Sequence, residues 1–468
     1  MSRALAALAA LAVAAGCALG PNYKRPSVPM SSAFRGQARA EAASFADLPW
    51  WDVFQDPSLK ALLVETLTNN YDLADASARV DVARENARIG TDRLLPSLSA
   101  TGGPSYQQVF FGVSLPGMSS NARFAGYQLQ GSLSWEIDLW GRLRRLRQSA
   151  IADFFASEDN RRGVIVSLIG DVAQSYFTLL ALDLALEVTR RTVRSREDTL
   201  VLFRERLAGG VGDALDTTAE EALLADARAT IPNLERQIVQ TENQLAYLMG
   251  RPPGPIARGG DLLRRPAPLD QPAGLPASLL ERRPDVRRAE AQLISANAQV
   301  GAALAALFPT ISLAGSGGVE SNSLSTLFTS GSVVFGVSLL FNWLAPILNG
   351  AEYVHRWRGQ KAAYRAALAD YRRTVLSALV EVSNALTAIA TLREQRAQLE
   401  LEVRALTERL RLAKLRFRNG VASYLDVVQA EQNLFPAELT LAQTIGAQFS
   451  AVAQLYRALG GGWRTYFP

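Results

Sequence analysis

Heptad spacing and strict alternation divide this chain into two kinds of segment, and each kind occurs twice. Steps of three and four from Ile165 reach Leu168, Val172, Ser175, Leu179, Leu182, Leu186, Thr189, Val193, Arg196, Leu200, Phe203 and Leu207, ten of these thirteen positions being apolar. Moved on by 210 residues, the register runs from Val375 to Phe417, and twelve of thirteen positions are apolar. A seam repeating every 3.5 residues is the mark of a coiled coil. No proline interrupts 142–209 or 347–420, so each stretch predicts a rod of roughly 100 Å at 1.5 Å rise per residue. Both rods stop at a glycine and resume as helices over 213–249 and 424–459. Glycine takes the left-handed conformation that lets a helix end and the chain reverse. Two long helical hairpins follow, with turns near 209–213 and 419–423.

The second kind of segment has period two. From Tyr127 to Leu139 every odd position is apolar or glycine and every even one is polar. Val333, Phe335, Val337, Leu339, Phe341 and Trp343 form a second apolar face, with Val334 and Leu340 blurring the alternation. Side chains on a strand alternate faces, so both segments predict strands with one oily side. Shorter partners begin after Pro96 and Pro309, where proline ends the preceding helix. The Gly-, Ser- and Pro-rich stretches 103–126 and 320–331 are expected to close the hairpins, which span about 96–139 and 308–343. Strands of about ten residues suit a tilted membrane strand. Trp135, Trp140 and Trp343 are expected near the membrane interface. A soluble sheet packed on helices would show the same alternation. In lipid, however, only a closed barrel satisfies the backbone, and four strands per chain are too few to close one. Several chains must then share one barrel; three would give twelve strands, although this argument does not set the number.

The order of elements is duplicated. Asp72-Leu73 through Leu95-Pro96-Ser97-Leu98-Ser99 aligns without gaps on Asp285-Val286 through Phe308-Pro309-Thr310-Ile311-Ser312 at an offset of 213. Gly210-Val211, Leu215-Asp216 and Glu221 align on Gly420-Val421, Leu425-Asp426 and Glu431 at 210. The expected domains are a first repeat over 50–252, a Pro/Gly-rich linker over 253–276, a second repeat over 277–459 and a tail over 460–468.

Composition narrows the classes. An apolar fraction of 48% excludes a disordered chain and is too low for a bundle of membrane helices. The net charge of +5 comes from 49 basic and 44 acidic residues mixed along the chain, the pattern of solvated helix faces rather than of a nucleic-acid-binding surface. One histidine, His355, and one cysteine, Cys17, exclude zinc clusters and disulfide frameworks. No nucleophile elbow, P-loop, dinucleotide fingerprint or metal-spaced histidine pair points to an enzyme. At the N-terminus, Arg3 precedes an apolar run from Ala4 to Ala15, then Gly16 and Cys17. This predicts a secretory signal over 1–16. The only cysteine follows a small-residue pair, the lipobox arrangement, so 17–49 is expected to be an extended segment anchored by lipid on Cys17. No other cofactor is expected.

Further motifs carry a resemblance. Gly20-Pro21-Asn22-Tyr23-Lys24-Arg25-Pro26, Trp135-Glu136-Ile137-Asp138-Leu139-Trp140-Gly141-Arg142, Glu281-Arg282-Arg283-Pro284-Asp285-Val286, Phe308-Pro309 and Leu459-Gly460-Gly461-Gly462-Trp463 span nearly the whole mature chain. In this order they resemble the outer-membrane factor family, the TolC-like ducts, in its lipoprotein branch typified by NodT and OprM. The resemblance implies a mainly α chain with membrane β-strands. Two structural repeats would form a trimer with a twelve-stranded β-barrel and a long periplasmic α-helical barrel. It implies that the turns, at Arg206, Leu207, Gly210 and Val211 and at Arg416, Phe417, Gly420 and Val421, meet a periplasmic adaptor joined to an inner-membrane pump of RND type. It places a periplasmic gate at Leu425, Asp426 and Gln429. Gln429 departs from the family, where a second acid often stands, which leaves Asp426 the sole acid of the trio. Asp426 also suits an ordinary helix start.

The function expected is passive conduction of small molecules across the outer membrane of a Gram-negative bacterium. The adaptor and pump would open the duct and supply the energy. A type I protein secretion duct and a non-channel coiled-coil scaffold lipoprotein are the alternatives.

Overall fold

The computed structural model describes residues 18–35, 44–54, 56–110, 121–260, 262–264, 273–342 and 349–463. Residues 1–16, expected to be a signal, Cys17, Trp343 and parts of the linker and tail lie outside them. In chain order the helices and strands are α1 (Trp50–Phe54), α2 (Pro57–Asn69), α3 (Tyr71–Asp92), β1 (Ser97–Phe110), β2 (Asn121–Ile137), α4 (Arg142–Ala208) and α5 (Ala214–Leu248). After the linker come α6 (Leu279–Arg282), α7 (Pro284–Ala305), β3 (Thr310–Ser321), β4 (Val333–Asn342), α8 (Gly350–Arg418) and α9 (Tyr424–Ala458). The run α3–β1–β2–α4–α5 recurs as α7–β3–β4–α8–α9. α3 and α7 have 22 residues each and α5 and α9 have 35 each. The chain divides into two compact units, 1–27 with 79–157 and 288–371, and 28–78 with 158–287 and 372–468.

The first unit holds one antiparallel sheet in the order β1-β2-β3-β4. Its register stacks the alternating positions. Phe341 lies opposite Ile311 and Ile311 opposite Ile137; Leu339, Leu313 and Trp135 make the next row, then Val337, Gly315, Leu133 and Leu98. Paired residues point to one face, so these rows make a continuous apolar surface. Ser134, Ser312 and Leu340 begin the opposite, mostly polar face. Phe335 and Val337 are exposed, as is every residue of β4. β1 and β2 pair out to Phe110 and Asn121, so most of 103–126 is strand rather than the expected closing loop. Pro104 falls inside this paired stretch, opposite Tyr127. Trp135 and Trp140, expected at the membrane interface, donate their indole N–H groups to the carbonyls of Leu94 and Pro309 at 2.9 and 2.8 Å.

Two sequence motifs of this unit serve its strand-to-helix joint. Asp138 accepts hydrogen bonds from the Leu143 and Arg144 amides at the start of α4, and Glu136 pairs with Arg142 at 2.7 Å. The segment 18–25 lies across this joint. Arg145, almost fully buried, donates to the Leu19 and Gly20 carbonyls and to Asn22. Arg25 grips Glu290 through two bonds of 2.7 and 2.8 Å, and Tyr23 adds a third. Gly20, at φ +94°, passes so close to Gly301 that a Cβ would sit 2.5 Å from its Cα.

In the second unit Arg283 is buried and bonded to Asp285, Glu381 and the Ala458 carbonyl. Burial of Asp285 disfavours its charge, but Arg283 outweighs this and holds the carboxyl below its ordinary range. Trp463 donates to the Arg282 carbonyl and lies under Arg162 and Arg287. The Arg283 and Trp463 motifs thus meet.

Candidate functional site at the helical tips

The two long hairpins reverse by the same turn. Val211 N–H donates to the Arg206 carbonyl and Gly210 N–H to that of Leu207; Val421 and Gly420 repeat these bonds to Arg416 and Phe417. This double closure is the Schellman motif, which satisfies carbonyls that a helix end leaves open. It requires a left-handed residue, and Gly210 and Gly420 both adopt φ 72°. The returning helices start on matching caps: Asp213 accepts from Leu215 N–H at 2.8 Å and Ser423 from Leu425 N–H at 3.0 Å.

The turn residues split into those presented to solvent and those packed together. Val211 and Val421 are exposed, as is Leu207. Arg206 lies over the Phe417 ring at 5.4 Å and so joins the two turns. Phe417 packs on Tyr424 and Phe203, whose own ring centroids are 4.2 Å apart. Leu223, Ala413, Val427, Val428 and Ala430 complete this small core. Leu425, Asp426 and Gln429 share the opposite, exposed side of α9. The sequence placed this trio within one helical turn; the structure leaves it facing away from the tip core.

A buried polar cluster beside this core escaped the sequence reading. Tyr424 donates to Glu220 at 2.5 Å, and Lys414 pairs with Glu431 at 2.8 Å. Glu220 is fully buried, and its second oxygen has no hydrogen-bond partner, as is also true of one Glu431 oxygen. Arg196 is buried beside them, donates to the Leu223 carbonyl and lies over the Phe435 ring. Burial drives the Glu220 carboxyl up, and the Glu431 charge adds to this. Tyr424, Arg196 and Lys414 only partly offset the rise. Comparing the repeats would have flagged two members, because Tyr424 and Glu220 stand at offset 210 from Ala214 and Ala430.

The sequence profile described as outer membrane efflux protein matches residues 62–251 and 275–461. The chain belongs to the outer membrane efflux protein family. The toluene efflux pump outer membrane protein TtgC of Pseudomonas putida is 34% identical over 476 residues, covering 99% of this chain and 96% of that protein. Outer membrane protein OprJ of Pseudomonas aeruginosa is 34% identical, over 96% of this chain and 93% of its own. The solved outer-membrane channel OprN superposes with a TM-score of 0.87 at 30% identity, over 96% of this chain and 100% of that one. The family is one of transport channels. This chain therefore has the TolC-like fold expected from its sequence, resides in the outer membrane and acts as an exit duct of efflux.

Proposed function

We propose that three copies of this chain close one twelve-stranded barrel and admit small toxic organic molecules, such as solvents and antibiotics, to its lumen. The supporting observation is the sheet: four strands, an apolar face, and the outer edges of β1 and β4 unpaired among the described residues. Unpaired edges cannot persist in hydrocarbon, so sister subunits must complete the ladder. Domain limits follow the expected ones, with the signal removed before Cys17 and acyl chains holding 17–49 at the membrane. Arg206, Leu207, Gly210 and Val211, with Arg416, Phe417, Gly420 and Val421, meet the periplasmic adaptor, and an RND-type pump supplies the energy. The exposed valines at both turn apices suit apolar docking. Leu425, Asp426 and Gln429 narrow the resting duct, their exposed side of α9 being free to face a threefold axis.

Purified protein in planar bilayers tests this reading. Discrete conductance steps from a trimer are expected; a detergent-independent monomer with an ordered sheet would overturn it. Cys17→Ser should abolish incorporation of labelled fatty acid, and retained label would remove the anchor.

A further inference from the structure

One concave site of the first unit has a chemistry that the duct does not use. Lys24 of the N-terminal segment, Asn297 of α7, and Arg358, Lys361, Tyr364 and Arg365 of α8 line a cavity of 790 Å³, and no carboxylate lines it. The acids nearest in sequence are engaged: Glu290 is gripped by Arg25 and Glu352 by Arg356, and Asp370 also has a partner. Among the described residues none of the four cations forms an ion pair. Lys361 has only the Trp357 ring beneath it, at 4.5 Å. Four cations around one hollow repel each other and focus a positive potential into it, which a bound anion relieves.

The surrounding sequence says which anion. The first five turns of α8 carry Tyr353, Trp357 and Tyr364 among Arg356, Arg358, Lys361 and Arg365. Aromatic rings interleaved with lysine and arginine belong to the headgroup level of a bilayer. Two short stretches tether the hollow to the membrane. Lys24 is seven residues from Cys17, at most about 25 Å of extended chain. Asn297 lies in the helix that precedes β3 and Arg358 in the helix that follows β4.

We propose that this hollow binds the phosphate of an anionic phospholipid from the periplasmic leaflet, with the cations of the N-terminal segment and α8 as its clamp. The proposal rests on the membrane-facing sheet described above. Bound lipid would fix the N-terminal segment onto α8 and set the height of the barrel in the bilayer.

The test uses the full-length protein, delipidated in a neutral detergent, with phosphatidylglycerol and phosphatidylcholine of identical acyl chains as probes. Lipid retained per chain is counted by native mass spectrometry, which also reports the oligomer. Retention of phosphatidylglycerol but not phosphatidylcholine is expected. Affinity should fall about fivefold for each cation neutralised, so about twenty-five-fold for Lys361→Gln with Arg365→Gln. Lys361→Arg, which keeps the charge and guards against a folding artefact, should bind as the parent does. Equal retention of both lipids, indifference to the double change, or displacement of phosphatidylglycerol by equimolar inorganic phosphate would each overturn the proposal. Single-channel conductance recorded on the same samples judges the duct separately: steps without lipid selectivity sink only the lipid site, whereas absence of steps sinks the duct.

Discussion

The two hairpin tips share one template and differ in how deeply it is buried. Arg204 and Glu221 in the first tip stand where Lys414 and Glu431 stand in the second, and the pairs close at 2.7 and 2.8 Å. The side chains of the first pair are 60% and 44% exposed, those of the second 27% and 6%. The cause lies in the residues that do not match. The first hairpin contributes Phe203 and Glu220 where the second has Ala413 and Ala430, and the second contributes Tyr424 where the first has Ala214. Ring and acid from one side enter space left by alanine on the other. A symmetric duplication has thus produced one asymmetric core, and an ion pair exposed in one copy is largely buried in the other.

Removing the ring should have the largest effect. Tyr424→Ala empties the space between Phe203 and Phe417 and takes the donor from Glu220, a loss of about 3 kcal/mol locally. Hydrogen exchange over 214–228 and 410–431 would read it. Leu215→Ala, on the exposed side of the first tip, should stay within about 0.5 kcal/mol. Equal losses would break the comparison.

Next come the paired cations. Lys414→Met strands a buried Glu431 and should cost about 2 kcal/mol, less than a fully buried pair because Lys414 keeps some solvent. Arg204→Met should cost below about 0.5 kcal/mol. A thermal unfolding series of the two variants measures the difference.

A smaller effect follows pH. The Glu220 carboxyl is raised in the folded chain, so the fold holds its proton over a range where the unfolded chain has lost it. Stabilisation is complete below the unfolded value of about 4.3 and is lost as pH rises through the folded value. Exchange protection of the second tip should therefore weaken on going from acid towards neutral pH, and Glu220→Gln should flatten the profile. Glu221→Gln, one position along on the exposed pair, should leave it unchanged.

The smallest expected shift concerns the proposed gate. Asp426→Ala should move the open–closed balance by about 0.5 kcal/mol, roughly twofold in resting bilayer current. The same change at its duplicate, Asp216, should leave the current as it was. Unaltered current in both would remove Asp426 from the gate.

Much of this architecture was legible because it is periodic. The seams from Ile165 and Val375, the turn glycines and the strands from Tyr127 and Val333 each announce themselves within a few neighbouring residues. The turn positions were legible too, since Gly210 and Gly420 mark a conformation that other residues resist. The hairpin ends were not. Pro104, Ser105 and the following glutamines look like loop, yet pairing with 121–127 makes them strand, because the partner strand and not local composition sets their conformation. The tip cluster was hidden for a related reason. Tyr424 and Glu220 are 204 residues apart, and no local pattern links them.

By itself, then, the sequence determined the kinds of element, their order, their duplication and the oily face of each hairpin, all of which follow from spacing along one helix or strand. Tertiary structure alone decided which duplicated ion pair is largely buried, which glutamate burial pushes up, and which four cations share a hollow. Those properties depend on burial and charge summed across segments distant in the chain, and two copies with nearly the same spacing can acquire opposite environments.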